Sequence, residues 1–257
     1  MKSIVKRITY LGIAVAAFSI GLTISNASVK ADSWWSYPSG WYLWNDGGNS
    51  WDTGWQYKDG SWYFLSSDGR MRTNWVNDNN NWYYFDGSGH MQTGWQQING
   101  TWYYFYSNGE MATNWANVNG QWYYFSSANG AMQTGWLNNN GWYHFDNSGH
   151  MQTGWYVVNN QWYYSDDGGY MLSNEWLNDD FYLTGSGAMA TGWTNINGDW
   201  AFFQGNGHVQ HGWINSNQKW YWDNDEGFMA TGYGVQVDNG RYADFDDSGV
   251  WIGYENY

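Results

Sequence analysis

The chain has 257 residues and a formal net charge of −14, with 24 Trp, 23 Tyr, 34 Gly, one Pro and no Cys. Leu, Ile, Val and Phe make up only about 15% of it, which at this charge ordinarily marks disorder, but each Trp or Tyr buries roughly 150–250 Å² and supplies the missing apolar area. The lack of Cys excludes a disulfide framework, and the acidity disfavours nucleic acid and anionic lipid as partners.

The N-terminus comes first. MKSIVKR (1–7) carries three positive charges, ITYLGIAVAAFSIGLTI (8–24) is apolar, and SNASVKA (25–31) ends in a small-x-small-like site. This predicts a signal peptide over residues 1–31, cut after Ala31. The alternative is an uncleaved anchor, since 17 apolar-rich residues approach the spanning minimum of roughly 17–20. Cleavage removes Lys2, Lys6, Arg7 and Lys30 and leaves five basic against 23 acidic residues, net −18. A secreted chain of that charge suits a cationic partner, and no later segment predicts a membrane span.

Residues 32–257 read as one repeat domain, regular to about residue 171 and degenerate over 172–257. The first Trp of each unit falls at 55, 75, 95, 115, 136, 155, 176, 193 and 213. A second Trp falls at 62, 82, 102, 122, 142, 162, 200 and 220, and a Met at 71, 91, 111, 132, 151, 171, 189 and 229. A partial unit, GWYLWNDGGNSWDTGW (40–55), precedes them. A period near twenty residues predicts an all-β solenoid of stacked β-hairpins. A β-propeller is the runner-up, but its blades need roughly 40–50 residues.

Within a unit, INGT (98–101), VNGQ (118–121), INGD (196–199) and KDGS (58–61) put Asn-Gly or Asp-Gly between aromatic strands. Such pairs favour a two-residue turn with positive φ at both positions. That turn pairs Ile98 with Thr101, Gln97 with Trp102, Gln96 with Tyr103 and Trp95 with Tyr104. Alternation then puts Trp95, Trp102 and Tyr104 on one face, and Ile98, Tyr103 and Phe105 on the other. The second set reads as core. The first set reads as inter-hairpin packing, as aromatic cages for a cation, or as a sugar-stacking strip.

The pattern TGW-x(6)-WYYF-x(4–5)-G-x-M resembles the choline-binding (cell-wall-binding) repeats of Gram-positive surface proteins and phage lysins. Similar repeats occur in glucan-binding and toxin carbohydrate-binding regions. The resemblance implies sites between consecutive hairpins, with two Trp of one unit and an aromatic of the next around a trimethylammonium. Transferred to matching positions, it implies cages at Trp55/Trp62/Tyr84, Trp75/Trp82/Tyr104, Trp95/Trp102/Tyr124 and Trp136/Trp142/Tyr164. The closing Tyr follows from the face assignment. Trp115/Trp122 would be closed by His144, and Trp193/Trp200 by Trp222. EWLNDDFYLTG (175–185) lacks the WYY signature, and WAFF (200–203) and RYADF (241–245) are degenerate. Strong sites are therefore expected in residues 55–164, and weak or absent ones after about 170.

Other chemistry is sparse. His90, His150 and His208 occupy a slot that elsewhere holds Arg70, Glu110, Ala131, Tyr170 and Phe228, which fits a turn position better than a ligand or base. DNDEG (223–227) lacks the twelfth-position Glu of a calcium loop and reads as a solvated turn. The four Glu residues, at 110, 175, 226 and 255, are scattered, so no paired-carboxylate site for glycoside cleavage is indicated. No metal, cofactor or catalytic residue is expected. With Pro38 the only Pro, no LPxTG-type sorting sequence exists, and retention on the wall would be non-covalent. The expected partner is choline-decorated teichoic acid, with glucan or another surface polysaccharide as the alternative. A homodimer is left open.

Overall fold

The computed structural model describes residues 32–255; the expected signal peptide, residues 1–31, lies outside them. The described chain opens with a three-stranded sheet (Ser33–Tyr37, Gly40–Asn45, Ser50–Trp51). Nine two-stranded antiparallel hairpins follow. A second three-stranded sheet (Gly232–Gln236, Tyr242–Phe245, Trp251–Tyr254) comes last. Helix is limited to one 3-10 turn, Asp238–Gly240, among the described residues. Contacts divide the chain into two compact units, Met1–Asn117 with Tyr124–Met132, and Val118–Tyr123 with Gln133–Tyr257. Each is built of stacked hairpins.

The turns set the register as the sequence predicts. Asn99 and Gly100 have φ of 51° and 82°. The strands Gly94–Ile98 and Thr101–Phe105 pair Ile98 with Thr101 and Trp95 with Tyr104. Asn79–Asn80 and Asn159–Asn160 adopt positive φ at both positions too, a conformation that Asn tolerates without a following Gly.

Successive hairpins are joined by backbone. After the second strand the chain turns back through a tight bend, and the Met ending it donates its N–H to the second Trp of the preceding hairpin. Met91 N–H reaches the Trp62 carbonyl at 2.9 Å, and Met111 N–H reaches that of Trp82 at 2.8 Å. In the second unit Met171 bonds Trp142 and Met229 bonds Trp200 in the same way. The bend requires Gly. Gly109 has φ of +85°, and a Cβ there would overlap the Met91 sulfur. The recurring Met thus packs beneath the next turn's Gly, which explains its place in the repeat.

The core lies on the face assigned to it. Phe85, Phe105 and Phe125 in the first unit, and Phe145, Phe203 and Phe245 in the second, are essentially fully buried. Tyr63, Tyr83 and Tyr143 are buried beside them. Burying each such side chain stabilises by roughly 1.5–3 kcal/mol. Four residues of other types occupy the Phe slot: Leu65, Leu183, Ser165 and Asp223, all buried. Ser165 exchanges a hydrogen bond with the Tyr156 hydroxyl at 3.0 Å. Asp223 accepts one from the Phe202 N–H at 3.0 Å, and its other oxygen is buried with no partner.

Candidate functional site

Every two-stranded hairpin except 175–183 presents two Trp side chains on its outer face. Trp55 pairs with Phe64 and Tyr57 with Trp62, so Trp55 and Trp62 are diagonal neighbours on one face. Their ring centroids are 6.3 Å apart with planes at 82°. The same arrangement recurs at Trp75/Trp82 (6.2 Å, 85°), Trp95/Trp102 (6.3 Å, 85°), Trp136/Trp142 (6.3 Å, 89°), Trp155/Trp162 (6.3 Å, 83°) and Trp213/Trp220 (6.3 Å, 84°). The second Trp keeps one ring face in solvent, at 43% exposure for Trp62 and 46% for Trp142.

A third wall comes from the next hairpin, and it is not the residue the face argument selected. Trp55 meets Tyr83 at 4.6 Å, Trp75 meets Tyr103 at 4.9 Å, and Trp136 meets Tyr163 at 4.9 Å. Tyr84, Tyr104, Tyr124 and Tyr164 instead lie against the first Trp of their own hairpins. Their distances to Trp75, Trp95, Trp115 and Trp155 are 5.1, 5.2, 5.2 and 5.2 Å. His144 likewise lies 4.7 Å from Trp136, and Trp222 lies 5.3 Å from Trp213. The reason is how hairpins stack. The outer face of one rests on the core face of the next, as Trp55 does on Tyr83 and Phe85. The closing ring is therefore the first Tyr of WYY, on the face opposite that hairpin's own Trp pair. Trp115 and Trp122 fall in different units.

Met completes the enclosure. Trp136, Trp142, Tyr163 and Met171, with Ser173, Gly185 and Ser186, line a cavity of about 440 Å³. Trp193, Trp200, Tyr221, Met229 and Ser248 line one of about 260 Å³. Tyr221, not Trp222, closes this second cavity, and its ring is 4.9 Å from Trp193. Neither lining includes a charged side chain. Such a box attracts a cation through the negative faces of the rings, and it accepts methyl groups without stranding a hydrogen-bond donor.

Ring clusters continue beyond residue 170, where weak or absent sites were expected. Trp155/Trp162 is closed by Phe181, 5.1 Å from Trp155. The hairpins 175–183 and 192–203 form no such cage between them. Asp180 stands in the second-Trp slot after Trp176, and the closing slot holds the buried Ala201. Asp180 instead meets His208 Nδ1 at 2.6 Å. His90 Nδ1 lies 3.2 Å from Asp86, and His150 Nδ1 lies 3.3 Å from Asp146. All three His side chains are about 40–46% exposed on turns. Burial holds the His144 ring below the usual imidazole range, and its Nδ1 has no partner.

Comparison with known proteins follows the same lines. The family model for the choline-binding repeat matches residues 53–93, 92–135 and 134–176. Choline-binding protein F of Streptococcus pneumoniae is 24% identical over 87% of this chain and 93% of that one, with a TM-score of 0.61. CbpJ of the same species is 26% identical over 86% and 100%, with a TM-score of 0.55. The modular autolysin LytC of that species, in complex with a synthetic peptidoglycan ligand, is 29% identical over 77% of this chain. It matches over 48% of its own length, with a TM-score of 0.53. No curated protein sequence matches significantly.

Proposed function

We propose that this chain, a member of the choline-binding repeat family, is a non-catalytic protein that docks multivalently on choline residues of cell-wall teichoic acid. The observation that carries the reading is the cavity at Trp136, Trp142, Tyr163 and Met171, a ring-walled box free of charged side chains. Its matching geometry at Trp55/Trp62/Tyr83 and Trp75/Trp82/Tyr103 supports several sites in one chain. The described residues are repeat hairpins and their two capping sheets. Secretion and wall association rest on the targeting signal read in residues 1–31.

Magnitudes explain the repetition. Three rings at roughly 0.5–2 kcal/mol each give about 4 kcal/mol per cage, a dissociation constant near 1 mM. One cage retains nothing on a wall. Several cages on one polymer make later contacts intramolecular and raise avidity by roughly 10²–10⁴.

Retention on choline-substituted resin, run beside glucan resin, tests this. The chain is expected to bind the first, and free choline at tens of millimolar is expected to elute all of it. Trp142→Ala should remove one site without unfolding the chain. Retention on glucan resin, with choline leaving Trp fluorescence unchanged, would overturn the choline reading in favour of sugar stacking.

A further inference from the structure

The last pocket of the chain is built differently from the others. Ala243 takes the slot that Tyr163 and Tyr221 fill elsewhere, so Trp213 and Trp220 receive no closing ring from that strand. The strand Trp251–Tyr254 supplies rings in its place. Trp251 lies 5.8 Å from Trp213 and Tyr254 lies 6.2 Å from it. The cavity of about 330 Å³ is lined by these four aromatics and by Asp238 and Arg241. The pockets at Trp136 and Trp193 carry no such charged pair.

Arg241 is held in one orientation. Asp238 Oδ1 accepts from its Nη2 at 2.7 Å and from its Nε at 3.2 Å. Its Cζ stands 4.7 Å over the Tyr254 ring. A guanidinium has five N–H donors in a rigid plane. The Asp238 contacts use one on Nε and one on Nη2, and Nη1 makes no hydrogen bond to another described side chain. The side chain is 52% exposed. A fixed cation with spare donors therefore sits at the rim of an aromatic box. Toward a bare cation it is a like charge, only partly offset by Asp238. Toward an anion it offers charge-assisted hydrogen bonds.

We infer that this C-terminal pocket is a two-part site for a zwitterion. A quaternary ammonium rests against Trp213, Trp220 and Trp251, and a phosphate on the same molecule accepts hydrogen bonds from Arg241. The inference rests on the reading that paired Trp rings take quaternary ammonium. It adds that one pocket distinguishes the phosphorylated ligand from free choline, and that Arg241 sets the distinction. The pockets at Trp136 and Trp193 hold no cationic group to read the anion, only neutral Ser hydroxyls beside the rings.

The test uses the full chain labelled with 5-fluorotryptophan and followed by fluorine NMR. Trp251 lines this pocket alone, and its resonance is assigned with Trp251→Phe; Trp142, assigned with Trp142→Phe, reports a pocket without a charged side chain. Choline, phosphocholine and inorganic phosphate are titrated separately. At Trp251, phosphocholine is expected to bind at least about tenfold tighter than choline, and at Trp142 the two should agree within about threefold. Arg241→Ala should bring the ratio at Trp251 down to that at Trp142, with the Trp142 titration unchanged as a check on folding. Arg241→Gln, which keeps a polar stem without the charge, should do the same. Equal affinities at Trp251 in the parent chain would overturn the inference. So would a rise in affinity for both ligands in Arg241→Ala, because the guanidinium would then be a plug. A Trp251 response to inorganic phosphate equal to that for phosphocholine would overturn the ammonium half. If Trp142 answers choline while Trp251 shows no preference, only this inference falls. If neither resonance answers choline or phosphocholine, the underlying reading falls with it.

Discussion

Two stretches of the second unit share a scaffold and differ in what they carry. At hairpins 135–145 and 154–165, Trp136, Trp142 and Tyr163 enclose a cavity. At hairpins 175–183 and 192–203, the matching positions are Trp176, Asp180 and Ala201. The strands at 175–183 shorten to three residues each, but the bond that joins one hairpin to the next does not register the change. Met171 N–H bonds the Trp142 carbonyl and Val209 N–H bonds the Asp180 carbonyl, both at 2.9 Å. The core persists too, with Tyr182, Ala190, Ile196, Ala201, Phe203 and Val209 in one buried cluster against Trp176 and Phe228. The second Trp is thus an ornament on the stack, and the Phe slot with the Met–Trp backbone bond is the stack itself.

The comparison breaks first at the core slot. Phe105→Ala empties a fully buried site and should cost about 3–5 kcal/mol. Trp102→Ala should cost only about 1 kcal/mol, its ring being 42% exposed, in keeping with a surface change. Denaturant melts of the two variants check the contrast, and equal losses would refute it.

Asp223 sharpens it through pH. Burial raises its carboxyl to about pH 7, against the opposing Phe202 N–H bond. The folded-state value lies above the unfolded one, so the contribution is complete below about pH 4 and is lost as pH rises to about 7. The slope is about 1.4 kcal/mol per pH unit across that window. Asp223→Asn should remove this part of the pH dependence while leaving choline binding at Trp142 unchanged. An unaltered stability–pH curve would show that the carboxyl is solvated.

Gly109→Ala comes next. It places a Cβ against Met91 at φ of +85° and should cost roughly 1–3 kcal/mol, read from thermal melts. The smallest effect is expected of Asp180→Trp, within about 1 kcal/mol of the parent. It restores a second Trp without a closing ring, because Ala201 still faces it. No new choline site should appear in calorimetry, and one appearing would show that two rings suffice.

The hairpins were legible because turn chemistry fixes register locally. Asn99–Gly100 determines that Trp95 faces Tyr104, and the structure has that pairing. Which Tyr closes a cage was not legible, because it depends on how one hairpin lies on the next. That relation runs through Met N–H to Trp carbonyl bonds, which the face alternation within a single hairpin does not reveal. The sequence does hold one clue. Asp180 replaces a second Trp, and in the following unit it is the first Tyr of WYY that becomes Ala201, while Phe202 keeps an aromatic in the second position. A cage that loses one wall has lost the other with it. The rings at Trp251 and Tyr254 were hidden for a different reason: they come from a capping strand outside the repeat pattern.

Each cage straddles a seam, with two walls on one hairpin and the third on its successor, as Trp75, Trp82 and Tyr103 show. A guest in such a seam acts as mortar between bricks. Every occupied cage ties two neighbouring repeats, so ligand stiffens the junction between them, and melting temperature should climb with choline concentration. Without ligand, neighbouring repeats are held by packing and by Met N–H to Trp carbonyl bonds, and a stack of repeats frays from its ends. On the ligand-dense surface proposed above, neighbouring repeats would be clamped at one seam after another, and that surface would become part of what keeps them folded.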